Sequence, residues 1–288
     1  MRKWLAGLMK LYLDARDLIN ILQKATPCTV DHLEERLRRG GHKLTVSFHT
    51  ISELSVPLVR ATSKTNVMAL LNRLERMPIT FIRSDVDGLE LKEALDAYSS
   101  KREYRGIHAF VDRFDQTVDL HAQPPTGIFI SYSLGETVWD LYCHGALEGL
   151  ESYANQMRRI VAADRCLNKP PTLKANFARM IERNLKLYKL SWSGAVLSDF
   201  ANWIYENPNR CPAIRLGYEV WHKIVKNKTD LLEDSDMEDY QHLTCLPYVD
   251  FMTLDRRMHG YVSQASASVS LDYRDCLFKS TQDLLCRL

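Results

Sequence analysis

The sequence predicts an α/β fold built on a parallel sheet, and three features carry that reading. Short apolar runs alternate with helix-period segments at the spacing of βαβ units. Some of these runs end in an acidic residue. Between Asp230 and Asp255 stand eight carboxylates and no Lys or Arg, and this acidic stretch leads into a further apolar strand closed by an acid. An acid at the carboxyl end of a buried strand faces the crevice in which α/β folds bind ligands.

Leu11-Tyr12-Leu13-Asp14 reads as the first strand, followed by a helix through Leu18, Ile19, Ile21 and Leu22. Thr29 or Asp31 caps a second helix that carries Leu33 and Leu37 and stops at Gly40-Gly41. Leu44 to Phe48 is β-branched and apolar, hence a strand, and runs directly into Ile51-Ser52-Glu53-Leu54. Val67 to Arg76 is amphipathic, and Met77-Pro78 ends that helix before the strand-like Ile79 to Ile82. From about Leu89 to Lys226 the pattern is mostly helical, broken at Pro124-Pro125, Pro170-Pro171 and Pro208. That length exceeds a connection inside a compact α/β unit. The expected organisation is therefore a discontinuous domain over residues 10–88 and 230–288, with residues 89–229 as a helical insertion or cap. A helix opens near Asp236, strand character returns over Val249 to Leu254, and Ser263 to Ser270 reads as loop or edge strand before a terminal helix.

At 288 residues the chain can bury a core without staples, and 45% hydrophobic with 26% charged residues is an ordinary globular composition. A formal net charge of +2 excludes a wholesale nucleic-acid or membrane signal, so local charge matters more. Seven cysteines without a CxxC pair point to thiols in a reducing cytoplasm and away from a disulfide scaffold or zinc site. The start has the basic and apolar residues of a signal peptide, but its apolar run is too short. No run of about 18 apolar residues predicts a membrane span.

The acids fall where chemistry is expected. Asp14 ends the first strand, Glu53 opens a helix after the second, Asp239 lies in a late helix and Asp255 ends the last clear strand. In a parallel sheet such positions share one edge. Carboxylates without thiolate or imidazole partners suit hard cations, Mg²⁺ or Mn²⁺, which polarise phosphoryl oxygens. Without a cation the four would raise one another's pKa values. Taken singly, each acid could equally be a helix cap or a solvated group.

Leu11-Tyr12-Leu13-Asp14-Ala15-Arg16-Asp17-Leu18-Ile19 resembles the opening motif of PIN domains. Ser47-Phe48-His49-Thr50-Ile51-Ser52-Glu53-Leu54 resembles their second motif, which supplies a Glu. Asp239-Tyr240-Gln241-His242-Leu243 and Val249 to Asp255 are similar to the third and fourth, the last ending in Thr-x-Asp. The resemblance spans about half the chain. It implies a Rossmann-like parallel sheet with helices on both faces and a Mg²⁺- or Mn²⁺-dependent nuclease, with an endoribonuclease that leaves a 5′-phosphate as the leading reading. By position, Asp14, Glu53, Asp239 and Asp255 would be the catalytic and metal-binding set, Asp236 an optional further ligand, and Thr253 the residue that orients the site through its hydroxyl. A homodimer and an inhibitory protein partner stay open.

Four further groups have two readings each. Asp236, one turn before Asp239, serves as ligand or, by preference, helix cap, and Asp250 reads as structural. His242 contacts substrate phosphate or is simply a satisfied helix histidine. On a helical wheel Arg179, Arg183 and Lys186 share one flank opposite Phe177, Ile181 and Leu185, which predicts either a phosphate-gripping face or a solvated one. Trp192, Trp203 and Trp221 are core by preference, with base stacking as the alternative. Ala15-Arg16, where the family carries small hydroxyl or amide residues, favours a second function: a PIN-like module that binds RNA or a protein without cutting. A structure-directed DNA nuclease is a third.

Overall fold

The chain is built around β1 (Lys10–Tyr12), an inner strand of a six-stranded sheet of order β4-β3-β2-β1-β5-β6. The computed structural model describes residues 8–24, 26, 29–118, 131, 133–166, 173–192, 196–269 and 271–288. Leu11, Tyr12 and Leu13 are all buried, as expected of a parallel strand covered on both faces. Asp14 ends this run, and its side chain accepts the Arg16 N–H to cap α1 (Ala15–Leu22). Thr29 caps α2 (Val30–Gly40), and Gly41 closes it at φ +66°, a left-handed conformation that suits glycine. β2 (Lys43–Ser47) pairs parallel with β1, Leu11 opposite Leu44. Ser47 is both the end of that strand and the cap of α3 (Phe48–Ala61), so no loop separates them.

α4 (Lys64–Glu75) is capped by Ser63 and leads to β3 (Ile79–Ile82), again parallel. α5 (Val86–Ser99) follows, and then β4 (Phe110–Val111) pairs antiparallel with β3, the one antiparallel pairing among the described strands. The next elements are α6 (Leu134–Cys143), α7 (Ala146–Cys166), α8 (Leu173–Leu187), α9 (Leu197–Glu206) and α10 (Pro212–Lys226). α11 (Asp234–His242) runs through a 3₁₀ segment over Leu243–Tyr248 to β5 (Phe251–Thr253), which pairs parallel with β1. α12 (Arg256–Val269), β6 (Leu277–Phe278) and α13 (Thr281–Arg287) complete the chain, β6 pairing parallel with β5. The fold is thus α/β with a mostly parallel sheet.

Alternate strand residues divide the core. Leu11, Leu13, Leu44 and Val46 join α1, α2, α3, α4, α6 and α13 in one apolar cluster. Tyr12, Ile82 and Met252 join α7, α10, α11 and α12 in a second. A third cluster, with no strand residue, unites α5, α8, α9 and α10 around Phe177, Ile181 and Phe200. Of residues 89–229, then, Phe110–Val111 lie in the sheet, α6 packs with the first cluster, and α8 and α9 lie in the third.

Ser263 to Ser270 does not form a loop or edge strand: its described residues continue α12. Met258, Tyr261, Val262, Ala265, Ser266 and Val269 are buried at helical spacing, and the small residues among them let α12 lie against α10. Pro124-Pro125 and Pro170-Pro171 fall outside the described residues, and Pro208 opens the 3₁₀ turn between α9 and α10. No helix of the described residues is long and apolar enough to cross a membrane.

Candidate active site

The carboxyl ends of β1, β2 and β5 lie at one edge of the sheet because these strands are parallel. Asp14 leaves β1 there, Glu53 projects from the second turn of α3 behind β2, and Asp255 follows β5. α11 brings Asp239 to the same place. Asp14 is 4% and Asp239 8% exposed, while Glu53 and Asp255 are half-buried.

Asp239 feels the charges of the other three. Burial, then the charges of Asp14, Asp255 and Glu53, push the Asp239 carboxyl up to about 8 against the opposing charge of His242. Asp14 is also raised, by burial and less by Glu53, although His242 and Arg16 pull it down. Two acids have local duties as well. Asp14 Oδ1 accepts the Arg16 N–H at 3.1 Å, and Asp255 Oδ1 accepts the Met258 N–H at 2.5 Å at the start of α12. Arg16 stands 3.7 Å from the other Asp14 oxygen.

Thr253 links the two inner strands. Its hydroxyl accepts the Asp14 backbone N–H at 2.8 Å. Asp17 is buried, which raises its pKa. It appears in the sequence only as a member of the first motif, and its inward turn follows from lying one helical turn beyond Asp14.

His242 is neither solvated nor turned toward an open surface. It is 1% exposed, and its Nε2 lies 2.8 Å from Glu53 Oε1. Its Nδ1 makes a short contact with the Tyr12 hydroxyl, which is itself 2.7 Å from Ser47 Oγ and 2.8 Å from Thr50 Oγ1. Burial opposes a charge on His242, but Glu53, its hydrogen bond, Asp14 and Asp239 overcome this and lift the imidazole to about 9. His49, edge-on to His242 with ring centroids 6.3 Å apart, goes the other way: burial first, then His242, lower it to about 4. One cationic imidazole thus sits among the acids. Tyr12 has no sequence signal beyond lying two residues before Asp14, which puts both on one face of β1.

Asp236 serves as a cap of α11, and burial, with a lesser part from the charge of Asp255, raises its carboxyl. It accepts the Glu233 N–H at 2.6 Å at the start of α11 and is ion-paired with Arg257. Asp250 accepts the Lys10 N–H at 2.8 Å and so pins the opposite end of β1. On α8, Phe177, Ile181 and Leu185 are buried while Arg179, Arg183 and Lys186 are exposed. Lys186 pairs with Glu182 at 2.6 Å and Arg179 with Asn176. Trp192 and Trp203 pack with Tyr98 and Phe200, and Trp221 donates to Asp164 at 3.1 Å. All three tryptophans are engaged within the fold.

The donor chemistry suits a hard divalent cation: oxygen ligands of like charge, of which Asp239 and Asp14 are raised by burial and by neighbouring acids. As they stand, no three His, Cys, Asp or Glu side chains among the described residues are grouped to hold one ion. Glu53 is turned to His242 instead, and Asp14 and Asp255 each spend an oxygen on a helix cap. In comparisons with known proteins, no family model, curated protein or solved structure matched the chain.

Proposed function

We propose that the chain is a divalent-metal-dependent nuclease with a PIN-like, Rossmann-like core, acting as an endoribonuclease in the cytoplasm. One observation carries this reading: carboxylates from β1, α3, α11 and the end of β5 share one electrostatic neighbourhood at the carboxyl edge of the sheet, where Asp239 is pushed up to about 8. Mg²⁺ or Mn²⁺, when bound, supplies polarisation of a phosphoryl oxygen and an acidified water. Asp14, Glu53, Asp239 and Asp255 hold the ion, and Thr253 fixes Asp14 from behind. The exposed Arg179, Arg183 and Lys186 of α8 take up phosphates of the strand. Asp14→Asn and Asp255→Asn test it: each abolishes Mn²⁺-dependent cleavage of single-stranded RNA while the circular dichroism stays native. Cleavage that survives both changes defeats the reading, and preference for flapped DNA would move it to a DNA nuclease.

A second reading, an RNA-binding module that does not cut, is favoured by the engagement of Glu53 with His242 and of Asp14 and Asp255 as caps. RNA binding that is unaffected by Mn²⁺ in wild-type protein and unchanged in Glu53→Gln, without cleavage, would support it.

A further inference from the structure

Four elements meet at the Tyr12 hydroxyl. β1 supplies the tyrosine, the end of β2 supplies Ser47, α3 supplies Thr50 and α11 supplies His242. The same histidine reaches Glu53 with its other nitrogen at 2.8 Å. Each imidazole nitrogen therefore has a partner, and the Nε2 position faces a carboxylate oxygen, the place for an N–H donor. The ring is 1% exposed, with the Tyr12 ring centroid at 5.5 Å and the His49 ring edge-on at 6.3 Å. It is held in place from both sides.

We infer that His242 and Tyr12 are positioning residues for Glu53: Tyr12 fixes the imidazole through Nδ1, and Nε2–H holds Oε1 of Glu53, leaving Oε2 as the oxygen that meets a cation. The inference rests on the nuclease reading for the identity of that cation, but the network itself does not. Partners behind a ligand orient it and set its donor strength, and their loss commonly costs ten- to a hundredfold in metal affinity. A histidine that only filled space would be replaceable by any side chain of similar volume. A positioning histidine needs a donor at the place of Nε2.

Glutamine puts an amide N–H near the position of Nε2, and asparagine puts one near Nδ1. Mn²⁺ titration calorimetry on the full chain then compares His242→Gln, His242→Asn, Tyr12→Phe and Glu53→Gln with wild type. Urea midpoints identify any loss that comes from unfolding. The expected result is binding within about threefold of wild type for His242→Gln, and about tenfold or weaker for the other three. In the metal-free protein, ¹⁵N-resolved imidazole signals should move at Nε2 in Glu53→Gln and at Nδ1 in Tyr12→Phe. Equal Mn²⁺ affinity of His242→Asn and His242→Gln in folded proteins overturns the inference, as does an Nε2 signal indifferent to Glu53→Gln. Wild-type protein that takes up no Mn²⁺ overturns the nuclease reading and the cation role with it. The ring signals then still decide whether His242 holds Glu53.

Discussion

Thr253 accepts the backbone N–H of Asp14 through its hydroxyl at 2.8 Å, across 239 positions of sequence. That bond joins the ends of the two neighbouring inner strands just where their acids diverge from the sheet. It is fully buried, so both partners lack water as a substitute.

Thr253→Val keeps the shape but leaves the Asp14 N–H without an acceptor. The expected cost is about 1–3 kcal/mol of stability, read as a lower urea midpoint at unchanged slope. Thr253→Ser should retain most of it. A valine variant as stable as wild type would show that the bond does little.

The metal-free protein should lose stability as pH rises from about 4 to 9. Asp239, raised to about 8, favours the folded state while protonated and is progressively less tolerated above the ordinary carboxylate range. His242, raised to about 9, contributes fully below its ordinary range and loses that contribution as pH climbs through 9. Both act in the same direction. Asp239→Asn should flatten the profile between about pH 4 and 8, by on the order of 3 kcal/mol. Melting temperatures in chelator across this window give the measurement, and parallel profiles for the two proteins would contradict the assignment of Asp239.

Asp236→Ala removes the cap of α11 and the Arg257 ion pair without touching the proposed ligands. It should cost about 1–2 kcal/mol in urea unfolding and leave the Mn²⁺ midpoint of cleavage where it is. A shifted midpoint would restore Asp236 as a ligand.

Replacing Arg179, Arg183 and Lys186 together by alanine should weaken RNA binding and reduce the slope of log affinity against log salt by about 2 for a single strand. The packing of Phe177, Ile181 and Leu185 is untouched by these changes, so thermal stability should barely move. Filter binding at three salt concentrations distinguishes this from a solvated face, for which the slope stays constant.

The inner strands were legible because apolar, β-branched runs bounded by turn residues have few alternatives: Lys43–Ser47 and Ile79–Ile82 lie within a residue of their expected positions. β4 and β6 were not, since two residues carry no period and exist only through the neighbours they pair with. The end of α12 resembles a loop in the sequence because Ser and Ala at buried positions hide the apolar stripe that a helix normally shows. For the site, strand ends and helix starts could be located from local pattern, which is why the four acids could be singled out. The link from Tyr12 through His242 to Glu53 could not, because it joins residues 230 and 189 positions apart and leaves no periodic trace.

The central placement of β1 between β2 and β5 has a consequence for biosynthesis. Its neighbour β2 on one side follows closely in sequence (Lys43–Ser47), and its neighbour β5 on the other comes only much later (Phe251–Thr253). A partly made chain can hold Asp14 beside Glu53, yet it lacks Asp239, Thr253 and Asp255. Closing so long a loop is slow relative to local pairing. On the nuclease reading proposed above, a partly made chain would lack the full set of acids, which is complete only when β5 pairs with β1.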